Sequence, residues 1–510
     1  MSSSFKEIKL EEQYKDSQNN AIPQHGPTDT ISLEVIKKEV KAIEKRFQPV
    51  PPKEVLGKLI EFIEKVDFYE RTNKDPKEHY ISKAEYLVIT IEKILQLAKQ
   101  NRWGLCKKHD FIYVYNGAYW SLLNEDDLKA FLGASALKMG VPEFKAKYHA
   151  FIDGLYKQFL ALGILPTLEP SRDTVRINLG NGTFEITPTG TKLRDFSSKD
   201  FITYQLPFSY QESAKAPRFM AYLNQVLPDL ERQKVLAEFL GYVFVRTSRL
   251  KLEKTLLLYG SGANGKSVFF EIVNALLGKE NFSTYSLQSL TNDTGYQRAM
   301  LTNKLVNYAS EINGKLETSI FKQMVSGEPV EARLPYGKPF ILEDYAKLIF
   351  NTNELPMDVE FTNAFFRRFL IIPFDVTIPE EQQDKGLASK IIQNELSGVF
   401  NWVLEGLHRI LSQEKFSPCK AAEDILEQYR KEADSVAMFL EDNNYQKDSE
   451  QHIATKDLHR HYREYCQEDG YRAVSAKSFN NRLRALGIIV QRKSQGNVAY
   501  VIHQVATMPF

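Results

Sequence analysis

The segment Gly260-Ser261-Gly262-Ala263-Asn264-Gly265-Lys266-Ser267 restricts what this chain can fold into more than any other. An apolar run, Thr255 to Tyr259, leads directly into it, and a helical run, VFFEIVNALLG, follows directly after. Strand, loop and helix in this order fit GxxxxGK[ST], whose glycines turn backbone N–H groups inward around phosphates at a helix N-terminus. Residues 260–267 are therefore the candidate nucleoside triphosphate site, with Lys266 reaching the β and γ phosphates and Ser267 offering its hydroxyl to Mg²⁺. The plain alternative is a glycine-rich turn.

Between about 250 and 378, short apolar strands alternate with helical stretches: TLLLYG, KLVNYAS, KLIFNTN and FLIIPF. That alternation predicts a parallel α/β core. Upstream, 54–165 is mostly helical in spacing, interrupted by FIYVYNGAYWSL, a β-hairpin by its alternation and its Asn116-Gly117 turn. A second strand pair, VRINLGNGTFEIT, turns at Asn181-Gly182. The chain thus divides into a flexible polar leader (1–50), a mixed, mainly helical N-terminal domain (51–170), a connector and helical domain (171–248), the α/β core (249–380), a helical extension (381–450) and a basic C-terminal domain (451–510).

A phosphate loop alone names no reaction, so the strands that follow must discriminate. The run ending Ser310-Glu311 places a carboxylate at a strand end, where it can hold Mg²⁺ and polarise an attacking water; a surface glutamate is the alternative. KLIFNTNELP ends a strand in Asn353, able to orient that water or sense the γ phosphate, although Asn, Glu and Pro also cluster in ordinary turns. Arg367 and Arg368 stand just ahead of FLIIPF, where a guanidinium could reach a neighbouring subunit's nucleotide; solvated arginines or an ion pair are the alternative.

Overall composition decides little. The net charge is +1 over 510 residues, and a chain that binds DNA can gather its basic residues on one face. Local charge is more informative, since residues 451–510 carry nine Lys/Arg against four Asp/Glu. Within them Phe479, Leu483 and Leu486 share one helical face, leaving Asn480, Asn481, Arg482 and Arg484 outward before two strands around Lys-Ser-Gln-Gly-Asn. This is the layout of a winged helix with Arg482 and Arg484 toward DNA. Cys106, Cys419 and Cys466 lie too far apart for a zinc ribbon or disulfide framework, which fits a reducing, cytoplasmic setting. No apolar run is long enough to span a membrane. The first 170 residues show neither the carboxylate pair nor the cysteine cluster that primer synthesis needs, so any primase or polymerase is expected to be a separate partner.

Taken in order, GSGANGKS, NKLVNYASE, IFKQMVSGEPVEARLPYGKPFILEDYAKLIFNTNELP and FFRRFLIIPF resemble superfamily 3 helicases of the phage and plasmid primase-helicase branch shared with poxviruses. INLGNGTFEI and LRDFSSKDFITYQLPFSY extend the resemblance upstream. It implies an AAA+-like motor, preceded by a mainly helical domain, working as a hexameric ring that moves 3′ to 5′ on single-stranded DNA and opens forked DNA. It assigns Lys266 and Ser267 to MgATP, Glu311 to metal and water, Asn353 to the sensor, and Arg368, with Arg367 as fallback, to the finger. It also implies a hairpin gripping DNA over Arg333 to Lys338, with Lys338 at its tip, and Lys322 facing nucleotide or DNA. Many members carry two adjacent acids where this chain has Ser310-Glu311, which leaves more of the metal duty to one carboxylate. The competing readings are an initiator that binds DNA and ATP without processive unwinding, and a small-molecule phosphotransferase.

Overall fold

The computed structural model describes residues 50–504 apart from 102–103, 109–110, 164–172, 311, 313–315, 336, 357–360, 470, 472 and 495. The expected polar leader falls outside the described residues except for Val50.

The first layer is helical, as the spacing predicts. Helix Lys83–Gln100 starts at a capping box in which Ser82 and Glu85 satisfy each other's backbone N–H, removing two of the orphan donors of a helix start. Its Ile89, Ile94 and Leu97 bury against Phe151, Leu155 and Phe159 of helix His149–Leu162. The predicted hairpin is present as β2 (Phe111–Tyr115) and β3 (Trp120–Leu123), with β1 (Leu105–Lys108) added on its other edge. Asn116 makes the turn by accepting from the N–H groups of Ala118 and Tyr119 at 3.0 and 2.9 Å, and Gly117 sits at φ +96°. The second strand pair, β4 (Val175–Leu179) and β5 (Gly182–Thr187), gains a third strand, β6 (Gly190–Arg194), that the sequence pattern had not indicated.

The centre of the chain is a five-stranded parallel sheet in the order β13-β7-β12-β9-β8. Its strands are β7 (Thr255–Tyr259), β8 (Phe282–Ser283), β9 (Val306–Ala309), β12 (Lys347–Thr352) and β13 (Phe369–Pro373). Both faces are covered, which explains why these strands read as continuous apolar runs. Alternate side chains serve different cores: Leu256, Leu258, Ile349 and Ile372 face one, while Leu257, Phe350, Phe369 and Ile371 face the other. Between β9 and β12 an antiparallel hairpin, β10 (Val330–Arg333) and β11 (Pro339–Leu342), projects from the sheet. The core on the first face runs unbroken from Val175 to Ala422, so β4, β5 and the helices before the sheet are packed as one body with it.

That body leans on one helix pair, Leu230–Tyr242 against Leu396–Gln413. Two glycines set their approach. A Cβ on Gly406 would lie 2.2 Å from the Ala237 backbone, and one on Gly241 would lie 2.5 Å from the Leu407 nitrogen. Across the same contact the buried Glu238 carboxylate accepts from Arg409 Nε at 3.1 Å and from the Ser417 hydroxyl at 2.6 Å.

The C-terminal body has its own core, from Val436 to Val501. Helices Ser435–Asp442, Thr455–Glu468 and Ala476–Ala485 pack on two small antiparallel sheets, β15 (Ile453–Ala454) with β17 (Gly496–Ala499) and β16 (Val490–Lys493), and β14 (Tyr445–Lys447) with β18 (Val501–His503). The predicted apolar face of Ala476–Ala485 is correct in Phe479 and Leu483, both fully buried. Among the described residues no helix is long and apolar enough to cross a membrane.

Gly406→Val should therefore lower stability by about 3 kcal/mol, the upper range for overpacking a closed contact. Gly57→Ala, where a Cβ meets nothing within 4 Å, should raise it by about 0.5 kcal/mol. Denaturant unfolding of both variants checks the pair; an unchanged Gly406→Val midpoint contradicts this packing.

Candidate nucleotide site

β7 delivers the chain to the C-terminal edge of the sheet, where open parallel sheets bind ligands. The loop that follows is held open by its own backbone. Gly262, Ala263 and Gly265 have φ of +139°, +49° and +84°, a run of left-handed conformations that points successive N–H groups to one side. Ala263 carries strain there that a glycine would not. Gly260 is required by contact, since its Cβ would lie 2.2 Å from the Phe374 carbonyl.

Three anchors fix the loop. Asn264, buried, donates to the Phe374 carbonyl at 2.9 Å. The backbone N–H of Ile378 donates to the Ala263 carbonyl at 2.8 Å. Tyr222, on helix Pro217–Val226, donates its hydroxyl to the Gly265 carbonyl at 2.8 Å. Nothing in the sequence singled out Tyr222, which reads as one more apolar position on an amphipathic helix.

Lys266 begins helix Lys266–Leu277 and is 7% exposed. Its ammonium donates to the Gly260 carbonyl, to Asn264 Oδ1 at 3.2 Å and to Asn353 Oδ1 at 3.3 Å. All three acceptors are neutral, and among the described residues no carboxylate pairs with it. Burial accordingly pulls its pKa below the ordinary lysine value. A buried cation with no counter-charge, at a helix N-terminus and beside inward N–H groups, has the chemistry to receive a polyphosphate.

Asn353 follows β12, is exposed at the loop and accepts from Lys266. Behind it the buried Tyr308 of β9 donates to Asn351 Oδ1 at 2.9 Å, locking the two strand ends together. Ser261 and Ser267 are exposed at the mouth. Glu311 lies outside the described residues, and Ser310 before it is exposed.

The paired arginines separate. Arg368, preferred from sequence as the group that reaches a neighbouring subunit, is 7% exposed and turned inward. Its guanidinium donates to the Ala364 carbonyl and to Ser326 Oγ at 2.8 Å. In this structure the Arg368 side chain is engaged within its own fold. Arg367 is the accessible one, with a side chain 52% exposed and a 2.6 Å pair to Glu253. Glu253, which the sequence gave no reason to notice, sits at φ +52° and also lies 3.8 Å from Arg368.

The remaining candidates lie elsewhere. Lys338 is exposed at the tip of the β10–β11 hairpin, while Arg333 donates Nε to the Gly337 carbonyl at 3.0 Å and so braces that tip. Lys322 lies half-buried on helix Thr318–Val325. Arg484 faces outward, bonded to Asn481 at 3.2 Å. Arg482 does not: it pairs with Asp434 at 3.2 Å and lies over the Phe361 ring at 4.7 Å, so its expected outward placement is corrected.

Three stretches of the chain match known families. The chain matches the family described as D5 N terminal like over residues 92–228 and the one described as Poxvirus D5 protein-like over 431–501. Residues 258–368, which hold the loop, both central strands and the arginines, match a family of unknown function, DUF5906. A curated relative, the helicase-named protein L207/L206 of Acanthamoeba polyphaga mimivirus, is 23% identical over 245 residues, 44% of this chain. The aligned part spans 24% of that relative's length. Among solved structures, the apo A form of the NrS-1 C-terminal region covers 81% of this chain and 98% of its own at 13% identity, with a TM-score of 0.44. The two D5-type matches, which flank the core, support a likeness to phage and viral primase-helicases.

Proposed function

We propose that the chain is an ATP-driven DNA helicase of a phage, plasmid or similar element, working as a ring of superfamily 3 type. The observation that carries this reading is the convergence on Lys266: one buried ammonium, with no carboxylate partner among the described residues, joins the glycine loop to Asn353 at the end of the neighbouring strand of the sheet. Nucleotide-driven motion needs such a link between phosphate contact and strand end.

Residues 260–267 would hold the triphosphate and Ser267 the Mg²⁺ that neutralises charge developing on the β and γ oxygens. Lys266 supplies the cation that the buried loop lacks a partner for. Glu311 takes the proton of the attacking water, and Asn353 orients that water beside the γ phosphate. Arg367 is the finger: exposed and paired with Glu253, it can exchange that carboxylate for a neighbour's phosphate. Lys338, at the hairpin tip, contacts the DNA backbone, with Arg333 shaping the turn and Lys322 behind it. Arg484 and the basic C-terminal body, read as a winged helix, add a second DNA contact; Arg482 positions that helix through Asp434. The motor is assigned to 249–380, the hexamer and 3′ to 5′ direction follow from the resemblance, and primer synthesis is left to a separate primase or polymerase.

Steady-state ATP hydrolysis with and without single-stranded DNA, alongside forked-duplex unwinding, tests the reading. Strong stimulation with unwinding from a 3′ tail is expected; DNA-independent hydrolysis supports a phosphotransferase, and DNA binding without unwinding an initiator. Lys266→Ala should reduce turnover at least about 10³-fold by removing the phosphate cation. Arg367→Ala should do the same while ATP binding, measured by equilibrium titration, is kept. Arg368→Ala should instead cost about 3 kcal/mol in denaturant unfolding, having stripped a buried network of its cation. A stable, inactive Arg368→Ala that still binds ATP would restore Arg368 as the finger.

A further inference from the structure

A cavity of about 440 Å³ lies where the β1–β3 sheet, the β4–β6 sheet and the motor meet. It is not part of the nucleotide site. Lys347, on its wall, opens β12, and Asn353 follows the other end of that strand. At ~3.3 Å per residue the two sites sit at opposite edges of the sheet, roughly 20 Å apart.

Its lining is cationic and aromatic. Arg176, Arg246, Arg249, Lys304 and Lys347 face three acids, Asp200, Glu343 and Asp344. Asp200 is already engaged by Arg176 at 3.4 Å and Arg194 at 2.8 Å, and the other two acids are exposed. Among the described residues Arg246, Arg249 and Lys347 have no carboxylate within ion-pair distance. Arg249 Nη1 is buried with no hydrogen-bond partner. Lys347 rests on the Thr247 hydroxyl at 2.8 Å and the Tyr242 ring at 4.4 Å, and burial pushes it down to about 8. Half-buried aromatic side chains, Phe111, Tyr204, Phe340 and Tyr345, complete the wall. Phe340 belongs to β11 of the hairpin and meets Phe111 edge to face at 5.9 Å.

Unpaired guanidinium groups beside aromatic faces make the combination that receives phosphate and base together. We propose that this cavity binds a nucleotide unit of single-stranded DNA, a second strand contact apart from the hairpin tip, with Arg246 and Arg249 on the phosphate and the aromatic wall on the base. The proposal rests on the reading of the chain as a DNA motor and adds a location that reading does not require. Because β11 forms part of the wall, a strand held here also braces the hairpin from its base.

The test uses the full-length chain and a fluorescein-labelled oligodeoxythymidylate of about 15 nucleotides, followed by anisotropy over a salt series. The double variant Arg246→Ala/Arg249→Ala should weaken binding about tenfold and reduce the salt slope by about 2. As a check that needs no variant, an oligonucleotide carrying 5-iododeoxyuridine should photo-crosslink to Phe111, Phe340 or Tyr345 in the unmutated protein. Unchanged affinity and slope, with crosslinks confined to the hairpin tip and loss only in Lys338→Ala, overturn this proposal alone. Arginine-dependent binding of free deoxythymidine monophosphate, with oligonucleotide binding unaffected, overturns the strand assignment in favour of a free nucleotide. No oligonucleotide binding by the unmutated chain overturns it together with the DNA-motor reading.

Discussion

One buried positive charge organises this molecule. Removing an ammonium from water costs several kcal/mol unless opposite charge repays it, and among the described residues the groups that Lys266 contacts are neutral oxygens. The rest of the α/β core can be read as the structure needed to hold that charge in place. A sheet buried on both faces carries β7 to the site, left-handed turns at Gly262 and Gly265 bend the loop, and Asn264 and Tyr222 tie it to Phe374 and to the preceding helix. Binding an anion there relieves the cost of burial, so the folded state itself is biased toward the liganded one.

How much of this could be read from residues alone depended on burial. β7, β9, β12 and β13 were legible because strands covered on both faces must be apolar throughout. β6 was not, since Gly190 to Arg194 is exposed and reads as polar linker, and β8 is only two residues long. The strand, loop and helix order around residues 260–267 was legible, whereas the contact of Asn353 with Lys266 was not. The arginines were a second such case. Periodicity places Arg368 and Arg482 on a surface, but their partners, Ser326 and Asp434, are 42 and 48 residues away in sequence. No local pattern records a contact at that distance.

One strand reaches both the cavity and the glycine loop. β12 starts at Lys347 in the cationic cavity and is followed by Asn353 at the glycine loop. Its neighbour β9 is locked to it through Tyr308 and Asn351. A strand that runs between the glycine loop and the base of the hairpin offers a physical route along which, on the proposed function, nucleotide state and strand grip would influence each other.

The most direct test of the central claim is whether the uncompensated Lys266 charge is a polyphosphate site. Thermal unfolding should be followed with and without MgATP, in the parent chain and in Lys266→Met. A site filled to 100 times its dissociation constant should stabilise the parent by about 2.7 kcal/mol, and the variant should show no such shift. An equal shift in both proteins, or none in the parent, would contradict the account.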